Sequence, residues 1–308
     1  TGATFADLNG DGRLDLLVSS FAGPDACFLN LGSGRFTNIT AAAGIVSKGG
    51  TTSLALGDID GDGDLDLYVC HFGMEAILRD GGTYAIRTVN GKPVVAGRYA
   101  KRLAIVGDRI IEFGEPDVLY RNDGQGRFTP VEWKETFRDE KGQPMAPTPD
   151  FGLAVQIRDI NADGFPDIYV CNDFQTPDRL LLNDGRGHFR APESLALRNM
   201  SYASMGVDFA DIDRDGWLDF ITIEMLSRDH TRHLNQFSPM NPVPRTPGLI
   251  QDREEIARNA LFRNRGDNTY AEIAWFSRVA ATDWSWTPIF VDVDLDGFED
   301  LLISNGHM

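Results

Sequence analysis

The sequence has 308 residues, of which 42% are hydrophobic and 24% charged, with 32 glycines and 15 prolines. This composition supplies a sizeable apolar core and is too varied for a low-complexity chain. The net charge of −17 argues against nucleic acid or an anionic membrane as the main partner. We expect no membrane span, because no stretch reaches the roughly 18 apolar residues that a spanning helix needs.

The first element along the chain is a nine-residue acidic loop that recurs five times. Its template is Asp-x-Asp/Asn-x-Asp-Gly-x-x-Asp, and the copies are loop 1 (7–15), loop 2 (58–66), loop 3 (159–167), loop 4 (211–219) and loop 5 (292–300). The five loops hold 20 of the 46 acidic residues. The acidity of the chain is therefore concentrated in a repeated pattern.

Short apolar runs flank each loop, and the runs that follow, such as 67–69 and 168–170, are rich in β-forming residues. A second signature follows four of the loops: an Asn, a glycine-rich turn and an aromatic residue. Its copies run over 30–36, 122–128, 183–189 and 264–270. The loop starts are 51, 101, 52 and 81 residues apart. Four short strands per about 50 residues is the period of a propeller blade.

We therefore predict an all-β chain that forms one β-propeller domain over residues 1–308. Its units are about 1–50, 51–150 with an insertion at 71–117, 151–200, 201–283 with an insertion at 225–262, and a partial unit at 284–308. The sequence begins and stops within repeats, so we expect an incomplete ring. Alternatively, residues 83–113 form a degenerate blade without metal, because Asn90-Gly91 and Gly107-Asp108 are typical of hairpin turns. The best helix candidate is 253–262.

The loops are predicted to bind calcium, at most five ions. Ca²⁺ takes six to eight oxygen ligands. The side chains at positions 1, 3, 5 and 9 and the backbone carbonyl at position 7 supply them, and position 6 is always Gly, where we expect a Cβ to clash. A solvated acidic turn is the rival reading of one loop, but five copies in register argue against it. The predicted ligands are Asp7, Asn9, Asp11, Arg13, Asp15; Asp58, Asp60, Asp62, Asp64, Asp66; Asp159, Asn161, Asp163, Phe165, Asp167; Asp211, Asp213, Asp215, Trp217, Asp219; and Asp292, Asp294, Asp296, Phe298, Asp300.

The chain has three cysteines, Cys27, Cys70 and Cys171. The last two lie at equivalent positions of different repeats, which are seldom close enough for a disulfide. We predict free, mostly buried thiols, which leave the redox compartment open.

These loops, with strands after them and Asn-Asp-Gly-x-Gly-x-Phe turns, resemble the FG-GAP (VCBS-type) repeats of integrin α-chain propellers. The segments 282–286 and 303–307 are similar to the ASPIC/UnbV group, related to cartilage acidic protein. The resemblance implies a seven-bladed propeller with calcium in the hairpin between the first two strands of a blade. It also implies export, and hence an extracellular, periplasmic or cell-surface location. The literal Gly-Ala-Pro of the repeat's name is missing.

Both insertions follow the strand after a metal loop, so we expect them on one face, opposite the calcium ions. Because loops carry function, this insertion face is predicted to bind a protein or glycan partner, as a non-catalytic scaffold or adhesion module. The alternative is a carbohydrate-active enzyme or lectin on the same face. Glu224, Asp229, His230 and His233 are its candidate residues, although we favour a polar surface loop there.

Four further side chains are interpreted as structural. His71 and His188 are expected to be ordinary surface or strand residues. Trp284 and Trp286 alternate along a strand, so we expect core packing for at least one of them. No nucleophile elbow, phosphate loop, zinc spacing or dinucleotide fingerprint occurs in the sequence.

Overall fold

The protein is described by a computed structural model that covers residues 2–45, 49–73, 77–78, 81–106, 109–173, 176–237 and 254–306. The predicted all-β class is confirmed: within these ranges the chain forms 25 strands and three short helices. The helices are α1 (Thr40–Ala43), α2 (Trp133–Thr136) and α3 (His230–Phe237). The strands are β1 (Ala3–Ala6), β2 (Asp15–Val18), β3 (Ala26–Asn30), β4 (Phe36–Asn38), β5 (Thr51–Gly57), β6 (Asp66–His71), β7 (Ala85–Val89), β8 (Lys92–Ala96), β9 (Leu103–Val106), β10 (Arg109–Glu112), β11 (Val118–Asn122), β12 (Phe128–Pro130), β13 (Phe137–Arg138), β14 (Gly152–Arg158), β15 (Asp167–Asn172), β16 (Arg179–Asn183), β17 (Phe189–Arg190), β18 (Asn199–Ser201), β19 (Gly206–Ala210), β20 (Asp219–Ile223), β21 (Glu254–Ile256), β22 (Ala260–Asn264), β23 (Tyr270–Glu272), β24 (Ser285–Val291) and β25 (Asp300–Asn305).

Four sheets repeat the same antiparallel four-stranded meander. They are sheet 1 (β1-β2-β3-β4), sheet 2 (β5-β6-β11-β12), sheet 3 (β14-β15-β16-β17) and sheet 4 (β19-β20-β22-β23), and sheet 5 holds β24 and β25. β13 adds to sheet 3 in parallel with β17. In every sheet the nine-residue loop joins the first strand to the second. The predicted rhythm of four strands per repeat is therefore present in the first four units.

Each sheet packs on the next one along the chain. One buried cluster lies between sheets 1 and 2, a second between sheets 2 and 3, a third between sheets 3 and 4, and a fourth between sheets 4 and 5. The three cysteines are free and buried, as predicted, and Cys27, Cys70 and Cys171 lie in three different clusters. Burial raises the pKa of the Cys27 thiol to about 12, so it packs as a small apolar side chain.

The segment between β6 and β11 forms two separate hairpins, β7–β8 and β9–β10. The predicted turn at Asn90-Gly91 is confirmed, with φ of 52° and 76°, the left-handed pair that a tight hairpin turn needs. The hairpins share a small core that includes Val95 and Leu103. They form two two-stranded sheets instead of the single four-stranded sheet of a degenerate blade. That alternative is not supported. The second predicted turn, at 107–108, lies outside the described residues.

The helix predicted at 253–262, in the segment between β20 and β22, is wrong. Residues 254–256 form strand β21 instead of a helix, and 260–262 begin β22, the third strand of sheet 4; position 253 lies outside the described residues. β21 pairs in parallel with β18, so a partner distant in sequence decides its conformation. Conversely, helix α3 occupies a stretch that was predicted to be a polar loop.

Candidate metal centres

All five loops share one internal hydrogen-bond pattern. In loop 3, Asp159 Oδ1 accepts the backbone N–H of Asp163 at 3.0 Å, and its Oδ2 accepts that of Gly164 at 2.9 Å. Asp163 Oδ1 in turn accepts the N–H of Phe165 at 2.9 Å. The same bonds from positions 5, 6 and 7 recur in the other four loops. The acids at positions 1 and 5 of each loop are therefore held by backbone N–H groups within a tight turn.

The glycine at position 6 is needed for its backbone angle. Its φ lies between 80° and 92° in the five loops, beyond the left-handed region that other residues reach. Position 4 has φ of 55° to 62° where it is Ala162, Arg214 or Leu295, which a side chain tolerates at some cost. The expected clash of a Cβ is not the reason: at Gly12, Gly63, Gly164 and Gly216 an added Cβ would meet no atom within 4 Å.

Three loops bring acidic oxygens together closely enough to hold one ion. In each, one carboxylate oxygen from each of three acids lies within 4.8 Å of the others; the groups are Asp58, Asp60 and Asp62; Asp211, Asp213 and Asp215; and Asp292, Asp294 and Asp300. Loops 1 and 3 carry Asn9 and Asn161 at position 3 instead. These donor sets are all oxygen, which fits calcium and not a soft metal.

In loops 1 to 4 the last acid lies deeper than the others, whereas Asp300 of loop 5 is exposed. In loop 3, Asp167 is fully buried, Oδ2 accepts the N–H of Ile160 at 3.0 Å, and Oδ1 accepts that of Asn183 at 2.8 Å. Burial raises the pKa of Asp66 and Asp219 to about 6 and that of Asp167 to about 7, against the lowering effect of these backbone bonds. The position-9 acids of loops 1 to 4 are therefore anchored in the fold, and a bound cation would favour the ionised form of such an acid.

Position 7 has a role that the sequence did not reveal. Only its carbonyl was expected to matter, yet its side chain lies over the glycine turn between the third and fourth strands. An added Cβ on Gly185 would come within 2.5 Å of the Phe165 ring, and one on Gly266 within 2.8 Å of the Trp217 indole nitrogen. The metal loop and the glycine turn of one sheet therefore support each other.

The Asn of the second signature links neighbouring loops. Asn183 Nδ2 donates to Pro166 O in its own loop at 3.0 Å and to Ile59 O in loop 2 at 2.8 Å. Asn122 and Asn264 make the same pair of bonds, to Leu65 O and Leu8 O and to Leu218 O and Ile160 O. Loops 1 to 4 therefore lie side by side along one edge of the sheets, the loop rim.

The opposite rim, where second strands meet third strands, carries buried acids that sequence reasoning missed. Asp178 accepts the Tyr169 hydroxyl at 2.9 Å, the Ser204 hydroxyl at 2.6 Å and the Asn172 N–H at 2.8 Å. Asp117 accepts the Tyr68 hydroxyl and the His71 N–H. The sequence did contain a signal for these acids. An Asp or Asn stands five residues before the Asn of the second signature, which is called the bridging Asn below, in all four sheets: Asp25, Asp117, Asp178 and Asn259.

The prediction that Glu224 lies in a polar surface loop is wrong. Its side chain is fully buried, and its carboxylate accepts the backbone N–H groups of Ala203 and Met225. Burial raises its pKa to about 8. The sequence pattern missed this because Glu224 directly follows a strand whose partners cover it.

A cleft of about 520 Å³ opens on the opposite rim beside α3. His230, His233, Arg228, Arg278 and Trp275 contribute to its walls, whereas Glu224 does not. Asp229 caps the start of α3 by accepting the N–H of Arg232 at 2.8 Å. Two of the four residues that tempted an enzymatic interpretation therefore share a cleft, and the other two serve the fold.

The remaining singled-out side chains behave as structural residues. His71 ends β6, is buried, and contacts Pro116 O through Nδ1 at 2.6 Å. His188 is exposed beside Asp184. Trp284 packs against the cluster between sheets 4 and 5, while Trp286 is 45% exposed. Among the described residues, the helices are all too short to cross a bilayer.

Comparison with known proteins identifies FG-GAP-like repeats at two places, residues 7–69 and 159–222, which contain loops 1 to 4. No curated protein matches the chain. A solved structure of an Agrocybe aegerita lectin, described as recognising non-reducing terminal N-acetylglucosamine, aligns over 98% of this chain and 74% of its own, at 16% identity and a TM-score of 0.35. At that score the likeness carries no argument about fold or ligand.

Proposed function

We propose, on the premise that residues 7–69 and 159–222 are FG-GAP-like repeats, that this chain is a calcium-binding β-propeller scaffold. Each bound ion would join the two ends of a nine-residue turn and neutralise its acids. The sheets would be the blades, and the sheet-on-sheet packing from sheet 1 to sheet 5 supports this arrangement. The seven-bladed ring, kinship with the ASPIC/UnbV group and a location outside the cytoplasm belong to the same proposal.

The single observation that carries the calcium assignment is the repetition of one bond pattern in five loops. Backbone N–H groups fix the acids at positions 1 and 5 in the same way each time, independently of the variable residues between them. A merely solvated acidic turn has no need for this uniformity. The ligands would be the side chains at positions 1, 3, 5 and 9 and the carbonyl at position 7 that the sequence predicts.

The test of calcium binding is isothermal titration of the full chain, freed of metal with chelator. We expect up to five calcium ions per chain, with magnesium binding much more weakly, because magnesium prefers few carboxylates and several waters. A flat calcium titration would reject the assignment. The matched control is the Asp163→Ala chain, which should bind one ion fewer.

Partner binding is proposed for the opposite rim. Both long insertions leave a second strand and enter a third strand, at 71 and 118 and at 223 and 260, so their described ends lie away from the metal loops. The cleft beside α3 lies on this rim as well, and exposed Trp275 offers an aromatic face of the kind that proteins and glycans bind. This favours a binding module for protein or glycan.

The second candidate is a lectin or a carbohydrate-active enzyme that uses this cleft. Its specific support is His230 and His233 beside Trp275. A glycan array with a hydrolase and lyase screen separates the candidates, with Trp275→Ala as the cleft variant. Deletion of 83–113 tests the other insertion: unchanged partner binding by both variants would remove the rim from the proposal.

A further inference from the structure

The five loops differ in one respect that their common template hides. Loops 2 and 4 have an acid at position 3, Asp60 or Asp213, and an arginine immediately before the bridging Asn of the same sheet, Arg121 or Arg263. In loops 1 and 3, position 3 is Asn9 or Asn161, and the residue before the bridging Asn is leucine. An extra acid in the loop is therefore matched by an arginine on the third strand.

The structure brings the two members of each pair together. Arg121 Nη1 lies 2.8 Å from Asp60 Oδ2 and 3.1 Å from Asp66 Oδ2. Arg263 contacts the Asp213 carboxylate through Nε, and its Nη2 is 3.7 Å from Asp215 Oδ2. Each guanidinium thus engages loop acids that would be calcium ligands.

The oxygens of Asp60 are divided between two environments. Oδ2 faces Arg121, whereas Oδ1 is buried and has no hydrogen-bond partner among the described residues. Leaving a buried carboxylate oxygen unpaired is costly unless another cation reaches it. Arg121 therefore neutralises one oxygen of Asp60 and leaves the other available to a metal ion.

We propose that Arg121 and Arg263 are built-in counter-ions that make loops 2 and 4 weaker calcium sites and less dependent on metal for their folding. This inference rests on the proposed calcium binding. A fourth carboxylate strengthens attraction for calcium and, without metal, increases repulsion within the loop. A fixed guanidinium opposes both effects, because it supplies positive charge permanently and occupies oxygens that calcium would use.

Loop 3 is the reference for this comparison. It has three acids at the ligand positions, Leu182 before the bridging Asn, and Phe165 at position 7. Loop 1 is a less suitable reference, because the guanidinium of Arg13 at position 7 forms an ion pair with Asp11. The structure shows no third strand for sheet 5 among the described residues. Loop 5 therefore has four acids at its ligand positions and no arginine placed against them among the described residues.

Loop 4 allows a site-specific test, because Trp217 stands at its position 7 and its N–H bonds to Asp215 at 3.0 Å. Terbium bound in this loop would be sensitised by the Trp217 indole, and calcium would displace it. Terbium is held well below its own Kd for either chain, so that the calcium displacement midpoint equals the calcium Kd, and this midpoint is compared between the wild-type chain and Arg263→Leu. Trp217→Phe identifies the part of the luminescence that comes from loop 4.

We expect the midpoint of Arg263→Leu to fall about two- to fivefold, the range expected when one partly exposed ion pair stops competing with the metal. In chelator the same variant should melt below the wild-type chain, and calcium should reverse the order. Arg265→Leu is the matched control, since it removes an equal charge from an exposed position in the same turn. The double variant Asp213→Asn with Arg263→Leu recreates the pattern of loop 3 and should restore melting in chelator.

The outcomes separate the two proposals. If wild-type luminescence is not displaced by calcium and no melting temperature responds to it, calcium binding itself is wrong. If calcium binds but Arg263→Leu shifts the midpoint no more than Arg265→Leu, or weakens binding, the counter-ion role alone is wrong. Should Arg263→Leu not fold, Arg263→Gln is read against the same control.

Discussion

The two rims of this molecule use the same chemical group in opposite ways. On the loop rim, Asp163 is exposed and accepts hydrogen bonds from Asn161 and Phe165 of its own loop. On the opposite rim, Asp178 and Asp117 are buried and accept hydroxyl and backbone N–H donors, including Ser204, 26 residues from Asp178, and Tyr68, 49 residues from Asp117. Burial raises the pKa of both to about 7. A carboxylate is thus available to a cation where local bonds hold it, and structural where tertiary donors satisfy it.

The position-9 acids stand between these two extremes. Asp167 is buried like Asp178, yet it belongs to a loop and accepts one N–H from that loop and one from the bridging Asn. Such an acid couples the metal loop to the sheet behind it. Calcium bound at the loop rim would therefore also stabilise the sheet to which such an acid is hydrogen-bonded.

Calcium removal should have the largest effect, and only through the loop rim. Saturating calcium is expected to raise the melting temperature by about 10 °C or more, since each site filled to 100 times its Kd contributes about 2.7 kcal/mol. Differential scanning calorimetry in calcium and in chelator measures this. Equal melting temperatures in the two buffers would mean that the acids of the loop rim do not bind calcium.

Substituting one acid on each rim should separate their roles directly. Asp178→Ala is expected to cost about 3 kcal/mol with or without calcium, because it leaves the donors from Tyr169, Asn172 and Ser204 unpaired. Asp163→Ala should cost little in chelator and should lose most of the stabilisation that calcium gives to loop 3. Denaturant unfolding in calcium and in chelator measures these free energies. If calcium stabilises the two variants equally, the proposed difference between the two rims is wrong.

The bridging Asn sharpens the comparison within the loop rim. Asn183→Ala should cost about 1–3 kcal/mol, because it removes donations to Ile59 O and Pro166 O. Asn30→Ala is the control, since among the described residues the Asn30 side chain donates to Leu14 O in its own loop and to no neighbouring loop. Hydrogen exchange in loop 2 should quicken in the first variant and stay unchanged in the second. The same exchange in both would mean that the link between loops carries no stability.

The pH dependence of Glu224 tests a buried acid on the opposite rim. Its pKa is raised to about 8 from 4.5, so the folded state holds the proton more tightly than the unfolded state. Its contribution to stability is therefore greatest below pH 4.5, falls as pH rises toward 8, and is constant above that.

The check is a series of melting temperatures from pH 5 to 9 in saturating calcium. Relative to Glu224→Gln, the wild-type chain should lose a few degrees across this window. The exposed Glu193→Gln provides the control. A parallel course of the wild-type and Glu224→Gln curves would remove Glu224 as a titrating buried acid.

Sequence reasoning succeeded wherever a feature repeats. The strand rhythm, the hairpin at Asn90-Gly91 and the free buried cysteines followed from spacing and turn chemistry, because these depend on a few neighbouring residues. It failed where a single segment meets a distant partner. The helix expected at 253–262 is β-structure because β18 offers an edge to β21, and Glu224 is buried because neighbouring strands cover it.

By itself, the sequence determined the all-β class and the loops with their acids, since a nine-residue turn is closed by its own side chains and backbone. Only the tertiary structure decided which acids remain at the surface and which become buried acceptors. It also placed Asn183 across two loops and Arg121 against Asp60. The reason is physical: hydrogen bonds within a turn depend on local spacing, whereas desolvation and long-range pairing depend on which sheets come to lie side by side.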